Sequence, residues 1–376
     1  MDVYRLNHKR LIVILSYINA IFLFLALTAC SENKNGNSQN ENINGNQNEN
    51  TVYNFVIVGG TGSVGMNQTG YISYSSDGLT WEEPIKNNYA SWNDIAFGEE
   101  KFVAVGNYSE FINGGLISYS SNGEIWSIAG APTDDNSINW HSVTYGNNKF
   151  VAVGDGGYKT YSTDGARWVK PFREINSLVN PNWKKIIYAQ NKFIAVGNEG
   201  YITYSSDGKN WEKPFRPEVD PNPKNGLAHT IYSYSNWTAI AYGNNKFVAS
   251  SGTNISYSSD GIEWSKLTEL IDKNEPIFAN TWEDIIFVNG KFIAVGGNAQ
   301  EGYLGYSTDG IKWEGPIKEG KDSFQKISYG NNKFVAVTDN YKGLVQWSIT
   351  GNQYSWKTSP TKLPNGRWTS IASRTP

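Results

Sequence analysis

Short apolar runs separated by polar turns recur along most of the chain, and the whole pattern repeats. In the clearest copy, residues 183–211, the apolar runs 183–188, 192–197 and 201–205 precede a short fourth stretch that begins after Trp211. Apolar runs of this length, bounded by turns of Gly, Asn and Asp, predict β-strands. Four strands in about 45 residues are typical of one blade of a β-propeller.

The second strand of each repeat is the most regular part of the pattern. Its apolar residues are nearly continuous, which predicts burial on both faces, as in a blade packed between two others. Such strands occur at residues 54–59, 101–106, 149–154, 192–197, 246–250, 291–296 and 333–338. These seven copies predict seven blades.

The first strands of the repeats predict how the ring closes. Each opens with an aromatic residue, at Trp92, Trp140, Trp183, Trp237, Trp282 and Phe324. The repeat that begins at Tyr53 lacks such a strand, and a matching segment, 368–372, stands at the other end of the chain. Pairing that segment with the first blade would remove an exposed sheet edge. We therefore predict an all-β, seven-bladed β-propeller of four-stranded blades over residues 53–376, closed by the C-terminal strand.

A turn of the form Ser-x-Asp-Gly-x-x-Trp follows the third strand in five repeats, with Asn122 in place of Asp in the second blade and a degraded copy from Ser348 to Trp356. An Asp side chain can accept backbone N–H groups within such a turn, and Gly supplies the positive φ that tight hairpins need. The Asp residues stand one per blade, so we interpret them as structural and not as paired catalytic carboxylates. They are Asp77, Asp164, Asp207, Asp260 and Asp309.

These turns resemble the Asp-box, or BNR, repeats of sialidase-like propellers and of propellers of the photosystem II assembly factor type. The resemblance covers residues 53–372, although the usual box, Ser-x-Asp-x-Gly-x-x-Trp, is one residue longer than the turn at 75–81. The resemblance implies a propeller fold that serves both binding proteins and glycoside hydrolases. The fold alone does not choose between them.

The catalytic set that the resemblance implies for a sialidase is not matched by this sequence. Such enzymes use three arginines on the substrate carboxylate, a Tyr/Glu nucleophile pair, an Asp acid/base and an Arg-Ile-Pro motif, and this chain has no Arg-Ile-Pro. Arg173 and Arg216 take equivalent places in two repeats, so we interpret them as rim residues and not as a convergent clamp. His141 and His229 are too few and too isolated for a metal cluster. We expect no catalytic residues, metal or cofactor.

The N-terminal segment predicts export and a lipid anchor. A basic start with Arg5, Lys9 and Arg10 precedes the apolar run 11–26 and the small residues before Cys30, which is the only cysteine. This resembles the lipobox of bacterial lipoproteins, which implies a signal peptide at 1–29 and lipid on Cys30; the alternative is an uncleaved membrane anchor. Ser31, in place of the Asp that retains lipoproteins at the inner membrane, favours the outer membrane or the cell surface of a bacterial envelope.

The segment after the anchor predicts a flexible tether, and the overall charge excludes one class of partner. Residues 30–52 are rich in Asn, Gln, Glu, Gly and Ser and are expected to form a flexible tether, because such a composition buries little apolar surface. Removal of the basic leader takes the formal net charge from −3 to about −5. With no basic block in the remainder, the composition argues against nucleic-acid binding. We expect a monomer.

Loops that differ between repeats are the candidate binding elements. The first hairpins and the Asp-Gly turns are near-identical from blade to blade, whereas the loops on the opposite face vary in length and content. Recognition usually sits on such loops, although loops also drift where constraint is weak. The candidate residues on this face are Glu110, Phe111, Asp134, Asp135, Arg216, His229, Tyr232 and Tyr234.

The resulting functional prediction is a non-enzymatic lipoprotein of the cell envelope. It would act as a binding or assembly scaffold for a glycan or a protein across the variable-loop face. The alternative is a divergent sialidase-like, carbohydrate-active hydrolase, which should show carboxylates with perturbed pKa converging at the channel mouth. A binding protein should show aromatic and neutral polar groups there.

Overall fold

The protein is a seven-bladed β-propeller, seen in a computed structural model. The structure describes residues 52–61, 69–87, 91–109, 112–129, 138–173, 179–217, 236–252, 254–265, 268–269, 281–298, 300–338 and 343–374. They belong to one compact unit, 50–376. Within these ranges no helix is both long enough and apolar enough to cross a bilayer. Cys30 and the segments 1–29 and 30–51 lie outside the described residues, so the anchor and the tether stay predictions.

Each blade is an antiparallel sheet whose first strand lines the central channel. The first strands are β4 (Trp92–Gly98), β8 (Trp140–Gly146), β11 (Trp183–Ala189), β14 (Ala239–Gly243), β18 (Thr281–Val288), β22 (Phe324–Gly330) and β26 (Arg367–Ser373). The second strands are β1 (Phe55–Thr61), β5 (Lys101–Ser109), β9 (Lys149–Gly154), β12 (Lys192–Gly197), β15 (Lys246–Ser251), β19 (Lys291–Gly297) and β23 (Lys333–Thr338). We number the blades 1 to 7 in the order of these second strands.

The outer strands complete most of the blades. The third strands are β2 (Thr69–Ser75), β6 (Ile112–Ser120), β10 (Lys159–Ser162), β13 (Ile202–Ser205), β16 (Asn254–Ser258), β20 (Gly302–Ser307) and β24 (Val345–Ser348). The fourth strands are β3 (Ile85–Asn87), β7 (Ser127–Ile128), β17 (Thr268–Glu269), β21 (Glu314–Lys318) and β25 (Lys357–Thr358). Blades 3 and 4 have three strands each.

The missing fourth strands correct the prediction of four-stranded blades throughout. In blades 3 and 4 the fourth segment makes a single bridge, Lys159 with Phe172 or Ile202 with Phe215. The cause lies in the preceding loop, because a 3₁₀ turn, Asp155–Gly157 or Asn198–Gly200, replaces the beginning of the third strand. In blades 1 and 6 the third strand begins earlier, at Thr69 or Gly302, and its first residues pair with the fourth strand. Blades 3 and 4 lack those partners.

The ring closes as predicted, because blade 1 consists of one C-terminal strand and three N-terminal strands. β26 pairs antiparallel with β1 from Phe55 with Ser373 to Gly60 with Arg367, so the last strand is the inner strand of blade 1. Both edges of the ring are thereby joined within one sheet. Because the first and last strands pair in this way, blade 1 also has an inner strand.

The core consists of the second strands and the aromatic residues that flank them. Phe102, Val103, Ala104 and Val105 have no exposed surface, and the equivalent runs in blades 3 and 4 are equally buried. Side chains on opposite faces of such a strand contact different neighbouring blades: Val103 packs in the cluster of Trp140 of blade 3, whereas Phe102 and Ala104 pack in the cluster of Val56 of blade 1. The continuous apolar pattern therefore reflects burial between two blades.

The Asp-Gly turn is held by its own side chains. Asp207 Oδ1 accepts the backbone N–H groups of Lys209 and Asn210, each at 2.8 Å, and Ser205 Oγ accepts the N–H of Gly208 at 2.8 Å. Gly208 has a φ of +72°. The same carboxylate contacts occur at Asp77, Asp164, Asp260 and Asp309. Burial alone would raise the pKa of Asp207, but these backbone donors outweigh it and hold the pKa below its ordinary value.

Substitution of Asp207 separates the hydrogen bonds of the turn from its charge. We expect Asp207→Ala to destabilise the fold by roughly 1 kcal/mol, because two backbone donors lose their acceptor. Asp207→Asn should cost less, since Asn122 Oδ1 makes the same two contacts in blade 2, at 3.0 and 2.9 Å. Urea unfolding followed by Trp fluorescence measures the difference. The exposed neighbour Ser206 provides the control, and an Asp207→Ala midpoint equal to that of Ser206→Ala would contradict a structural role.

Candidate functional site at the channel mouth

The two ends of the propeller differ in kind. On one end, which we call the turn face, the hairpins between first and second strands lie against the Asp-Gly turns of the following blade. Lys149 Nζ of blade 3 donates to the carbonyl of Asp207 at 2.9 Å, and Lys192 Nζ of blade 4 donates to that of Asp260 at 3.2 Å. The other end, the loop face, carries the loops between second and third strands and the connections between blades. The first strands begin at the loop face.

A buried charge cluster closes the channel just below the loop face. It is formed by residues two positions after the first-strand aromatic. Lys185 Nζ of blade 4 lies 2.8 Å from Asp94 Oδ2 of blade 2, and Lys326 Nζ of blade 7 lies 3.0 Å from Asp284 Oδ1 of blade 6. Asp94 and Asp284 have side chains only 3% exposed, and the lysine side chains are 14% exposed. Two anions and two cations thus balance each other in a mostly dry space.

Neutral groups donate further hydrogen bonds to Asp94. Ser142 Oγ of blade 3 donates to Asp94 Oδ2 at 2.6 Å, and Ser370 Oγ of blade 1 donates to Oδ1 at 2.7 Å. The backbone N–H of Val143 adds a third donor at 3.2 Å. One carboxylate therefore joins four blades. The equivalent position in blade 5 is Ala239, which adds no polar group.

Opposite charges in this cluster hold Asp94 and Lys326 in the ionised state. Burial alone would raise the pKa of Asp94, but Lys185 and Lys326 outweigh it and hold the pKa well below its usual range. Burial would lower the pKa of Lys326, but Asp284 and Asp94 outweigh it and raise the pKa. Burial lowers the pKa of Lys185, against the pull of Asp94. Asp94 therefore carries no proton at neutral pH and cannot act there as a general acid.

Above the cluster, the residue that follows each first-strand aromatic forms the rim of the channel mouth. In most first strands a β-bulge falls at this residue. A bulge directs a side chain out of the regular pleat. Asn93 Nδ2, Thr238 Oγ1 and Thr369 Oγ1 donate to the carbonyls of Trp140, Trp282 and Trp92, which open the next blades. The complete rim is Asn93, His141, Lys184, Thr238, Glu283, Gln325 and Thr369.

The charged part of the rim is concentrated in blades 3 and 4. His141 Nε2 lies 2.6 Å from Asp155 Oδ1 and 3.3 Å from Lys184 Nζ. Burial lowers the pKa of Lys184, and Asp155 partly offsets this effect. Burial would raise the pKa of Asp155, but His141 outweighs it and lowers the pKa. These three groups form a hydrogen-bonded unit at the mouth, in which the carboxylate is ionised.

Two arginines lie farther out on the loop face, each on a tyrosine ring. The guanidinium carbon of Arg216 is 4.1 Å from the centre of the Tyr201 ring, and that of Arg173 is 4.9 Å from the Tyr158 ring. Arg216 also forms an ion pair with Glu199 at 2.8 Å. The arginines stay on adjacent blades with separate partners, so they form no shared clamp.

The candidate residues predicted from the sequence do not all lie on the same face of the propeller, and several lie outside the described residues. Arg216 is on the loop face, whereas the five turn aspartates are on the opposite face. Glu110, Phe111, Asp134, Asp135, His229, Tyr232 and Tyr234 lie outside the described residues. Sequence reasoning missed the cluster of Asp94, Lys185, Asp284 and Lys326. The sequence does contain a signal for this cluster. When the repeats are aligned, four of them have a charged residue two positions after the first-strand aromatic.

The turn face also has a recess, at blades 6 and 7. It has a volume of about 560 Å³ and lies between Tyr306, Trp313 and Tyr354. Tyr354 is 85% exposed and stands in the degraded turn of blade 7. No group of three His, Cys, Asp or Glu side chains in the described part of the chain is placed to hold a metal ion.

Comparisons with known proteins agree with the architecture. No family model and no curated protein matches the chain. The solved structure titled "YCF48 bound to D1 peptide" superposes with a TM-score of 0.52 at 16% identity, covering 72% of this chain and 81% of that chain. YCF48 from Cyanidioschyzon merolae gives a TM-score of 0.53 at 15% identity, covering 74% and 88%. The likeness is one of fold. The Asp-box relationship itself stays a prediction.

Removal of the Asp94 charge tests the cluster. Asp94→Asn preserves the shape but leaves Lys185 without its anion, so we expect a loss of roughly 3–5 kcal/mol in unfolding free energy. The double variant Asp94→Asn with Lys185→Met should recover much of that loss, because neither charge is then buried alone. Chemical denaturation of the four chains of this cycle measures the coupling. Equal stability of Asp94→Asn and the wild type would refute the role of the ion pair.

The pH dependence gives this cycle an independent check. The folded pKa of Asp94 lies below its unfolded value of about 3.9, so its stabilising contribution is complete above that pH. It is lost as the pH falls from there through the lower folded pKa. The stability difference between wild type and Asp94→Asn should therefore be constant between about pH 5 and 8 and shrink below about pH 4.

Proposed function

We propose that the chain is a non-enzymatic lipoprotein of the bacterial envelope that binds a protein partner across the loop face of its propeller. Lipid on Cys30 would hold it on the extracytoplasmic side of a membrane, with residues 31–52 as a spacer. The propeller would then act as a binding or assembly scaffold. A glycan partner is the second outcome that the experiment below distinguishes.

The observation that carries this proposal is the variation of the rim on an otherwise repeated frame. The aromatic residue before the rim is Trp in six blades and Phe in one, and the apolar strands behind it are near-copies. The rim residue itself changes from blade to blade among amides, threonines, Lys, His and Glu. Different polar groups on rigid strands can read a specific surface, whereas a purely structural position would be expected to repeat.

The closed channel supports surface recognition. The Asp94, Lys185, Asp284 and Lys326 cluster fills the axis just below the rim, so a ligand would contact the loop face from outside. Asp94 and Asp284 are bound to Lys185 and Lys326, and Asp155 is hydrogen-bonded to His141. The rim carboxylate Glu283 accepts a hydrogen bond from Thr281 Oγ1 at 2.6 Å. The lowered pKa values of Asp94 and Asp155 do not fit the protonated acid that glycoside hydrolysis needs.

The likeness to YCF48 propellers gives limited support. One of those structures holds a D1 peptide, so a propeller of this shape can bind a polypeptide. At 16% identity the comparison concerns the fold only. The location of the binding surface on this chain is argued from the rim residues alone.

Face-selective photo-crosslinking of the full-length lipoprotein in its own cells tests the proposal. A photoreactive amino acid would replace Asn180 or Gln325 on the loop face, and Glu124 or Glu263 on the turn face as controls. We expect one defined protein adduct from the loop-face positions and none from the controls, because only the loop face meets the partner. Adducts from the turn-face positions alone would contradict the proposal.

A glycan array, probed with the same purified protein, distinguishes the other outcomes. Retention on a glycan without cleavage, together with no protein adduct from either face, would replace the protein partner by a carbohydrate. Cleavage of a glycan would favour the divergent hydrolase. Neither result leaves the protein-scaffold proposal standing.

Replacement of Cys30 tests the anchor separately. We expect Cys30→Ser to abolish incorporation of an alkyne-labelled fatty acid and to move the protein from the detergent phase to the aqueous phase in a phase-separation assay. The physical reason is that a single thiol is available for acylation, and acyl chains supply the membrane affinity. Unchanged partition into detergent would favour an uncleaved apolar anchor at residues 11–26.

A further inference from the structure

Blades 3 and 4 carry the same local arrangement on the loop face. In each, a 3₁₀ turn leads into a tyrosine, and an arginine that follows the isolated β-bridge lies over the tyrosine ring. In blade 3 these are Asp155–Gly157, Tyr158 and Arg173. In blade 4 the corresponding parts are Asn198–Gly200, Tyr201 and Arg216. The two bridges, at Phe172 and Phe215, fix the direction in which the arginines leave the blade.

The two arrangements differ at the middle residue of the turn. Blade 4 has Glu199 there, and its carboxylate Oε2 accepts a hydrogen bond from Arg216 Nη2 at 2.8 Å. Blade 3 has Gly156 in the same place, so that carboxylate is missing. Within the described residues, the hydrogen bond of Arg173 is a long one, from Nη1 to the carbonyl of Gly156 at 3.5 Å. Among the described residues, no carboxylate lies within ion-pair distance of Arg173.

The backbone of blade 3 nevertheless keeps the shape that presents a carboxylate. Gly156 has φ and ψ of 60° and 25°, and Glu199 has 53° and 25°. A Cβ at Gly156 would meet its nearest neighbour, a ring carbon of Tyr158, at 3.7 Å, which is ordinary van der Waals contact. Among the described residues, the position of that Cβ beside Arg173 is therefore open.

The guanidinium of Arg173 is suited to such a group. Its planar fork matches a carboxylate with two parallel hydrogen bonds. Stacking on Tyr158 restricts the side chain before binding, so less conformational entropy is lost when the ion pair forms. The acidic net charge of the chain, −3, disfavours extended polyanions as partners.

We propose that Arg173 is a recognition residue for an acidic side chain of a polypeptide partner, which takes the position that Glu199 occupies in blade 4. This inference rests on the proposed function, since it names one contact of the loop face with its protein partner. The blade 4 pair is the internal precedent, because there the group on the arginine is a glutamate of a polypeptide.

The test uses the lipidated protein in detergent micelles and the side-chain Nε–Hε resonances of the five arginines that remain once residues 1–29 are removed. The probe is the blocked tripeptide acetyl-Gly-Glu-Gly-amide, with the Gln tripeptide as its uncharged control and glucuronate as a sugar carboxylate. Arg173→Lys assigns the Arg173 signal by its loss. We expect the Glu tripeptide to shift the Arg173 signal in a titration, and the Gln tripeptide to leave it unchanged. The Arg216 signal should stay unchanged, because Glu199 already holds it.

The variant Gly156→Glu supplies the missing carboxylate from the protein itself. It should fold, because Glu199 adopts the same backbone conformation, and its Arg173 signal should move toward that of Arg216. Binding of the Glu tripeptide at Arg173 should weaken at least tenfold. Gly156→Gln is the matched control of equal size, and it should keep the response to the tripeptide.

Three results would overturn the inference. One is an Arg173 signal that responds no more than the Arg216 signal does. Another is an unchanged response in Gly156→Glu. The third is a response to glucuronate but not to the Glu tripeptide, which would assign the site to a sugar.

The failure of this inference can be told apart from the failure of the proposed function. Loop-face crosslinking to a partner that persists in Gly156→Glu would refute the role of Arg173 and leave the scaffold in place. If Arg173 binds the tripeptide but the protein crosslinks only from the turn face, the proposed function fails. The affinity of Arg173 for a carboxylate would then remain.

Discussion

The buried ion pairs at the axis are the constraint on which the propeller depends most directly. Asp94 and Lys185 lie on blades 2 and 4, so their contact requires the inner strands to be in place around the channel at once. Serines from blades 1 and 3 complete the same carboxylate. A charge buried without its partner costs several kcal/mol. The cluster therefore penalises any arrangement in which the ring is open or the blades are out of register.

The two faces on either side of this rigid centre differ in how much their residues vary between blades. On the turn face, hairpin side chains of blades 3, 4 and 5 donate to backbone carbonyls of the next Asp-Gly turn, and these repeated contacts limit variation there. On the loop face, the bulged residue of most first strands is directed out of the pleat. The frame there is fixed by the aromatic residue before it and the charge cluster below it, so its side chain can vary without loss of the fold. The loops between second and third strands vary as well, since the same 3₁₀ turn carries Gly156 in blade 3 and Glu199 in blade 4.

Repetition made the fold readable from the sequence. The apolar second strands and the recurrent turns set the blade count, and the position of Trp368 at the far end of the chain indicated ring closure, which the pairing of β26 with β1 confirms. The four-stranded prediction was wrong for blades 3 and 4, where a 3₁₀ turn replaces the residues that pair with the fourth strand in blades 1 and 6. A 3₁₀ turn of Asp-Gly-Gly or Asn-Glu-Gly is a local feature that the averaged pattern of the repeat conceals.

The sequence by itself determined the architecture, because each blade is built from local hydrogen bonds and a periodic apolar pattern that repeat seven times. It also indicated that the turn aspartates stand one per blade. Only the tertiary structure decided which charges meet. Asp94 and Lys185 are 91 residues apart, and Ser370 reaches Asp94 only because the ring closes. Contacts across the axis depend on the angle between blades and on the direction of each bulge, and neither is encoded in the period of a strand.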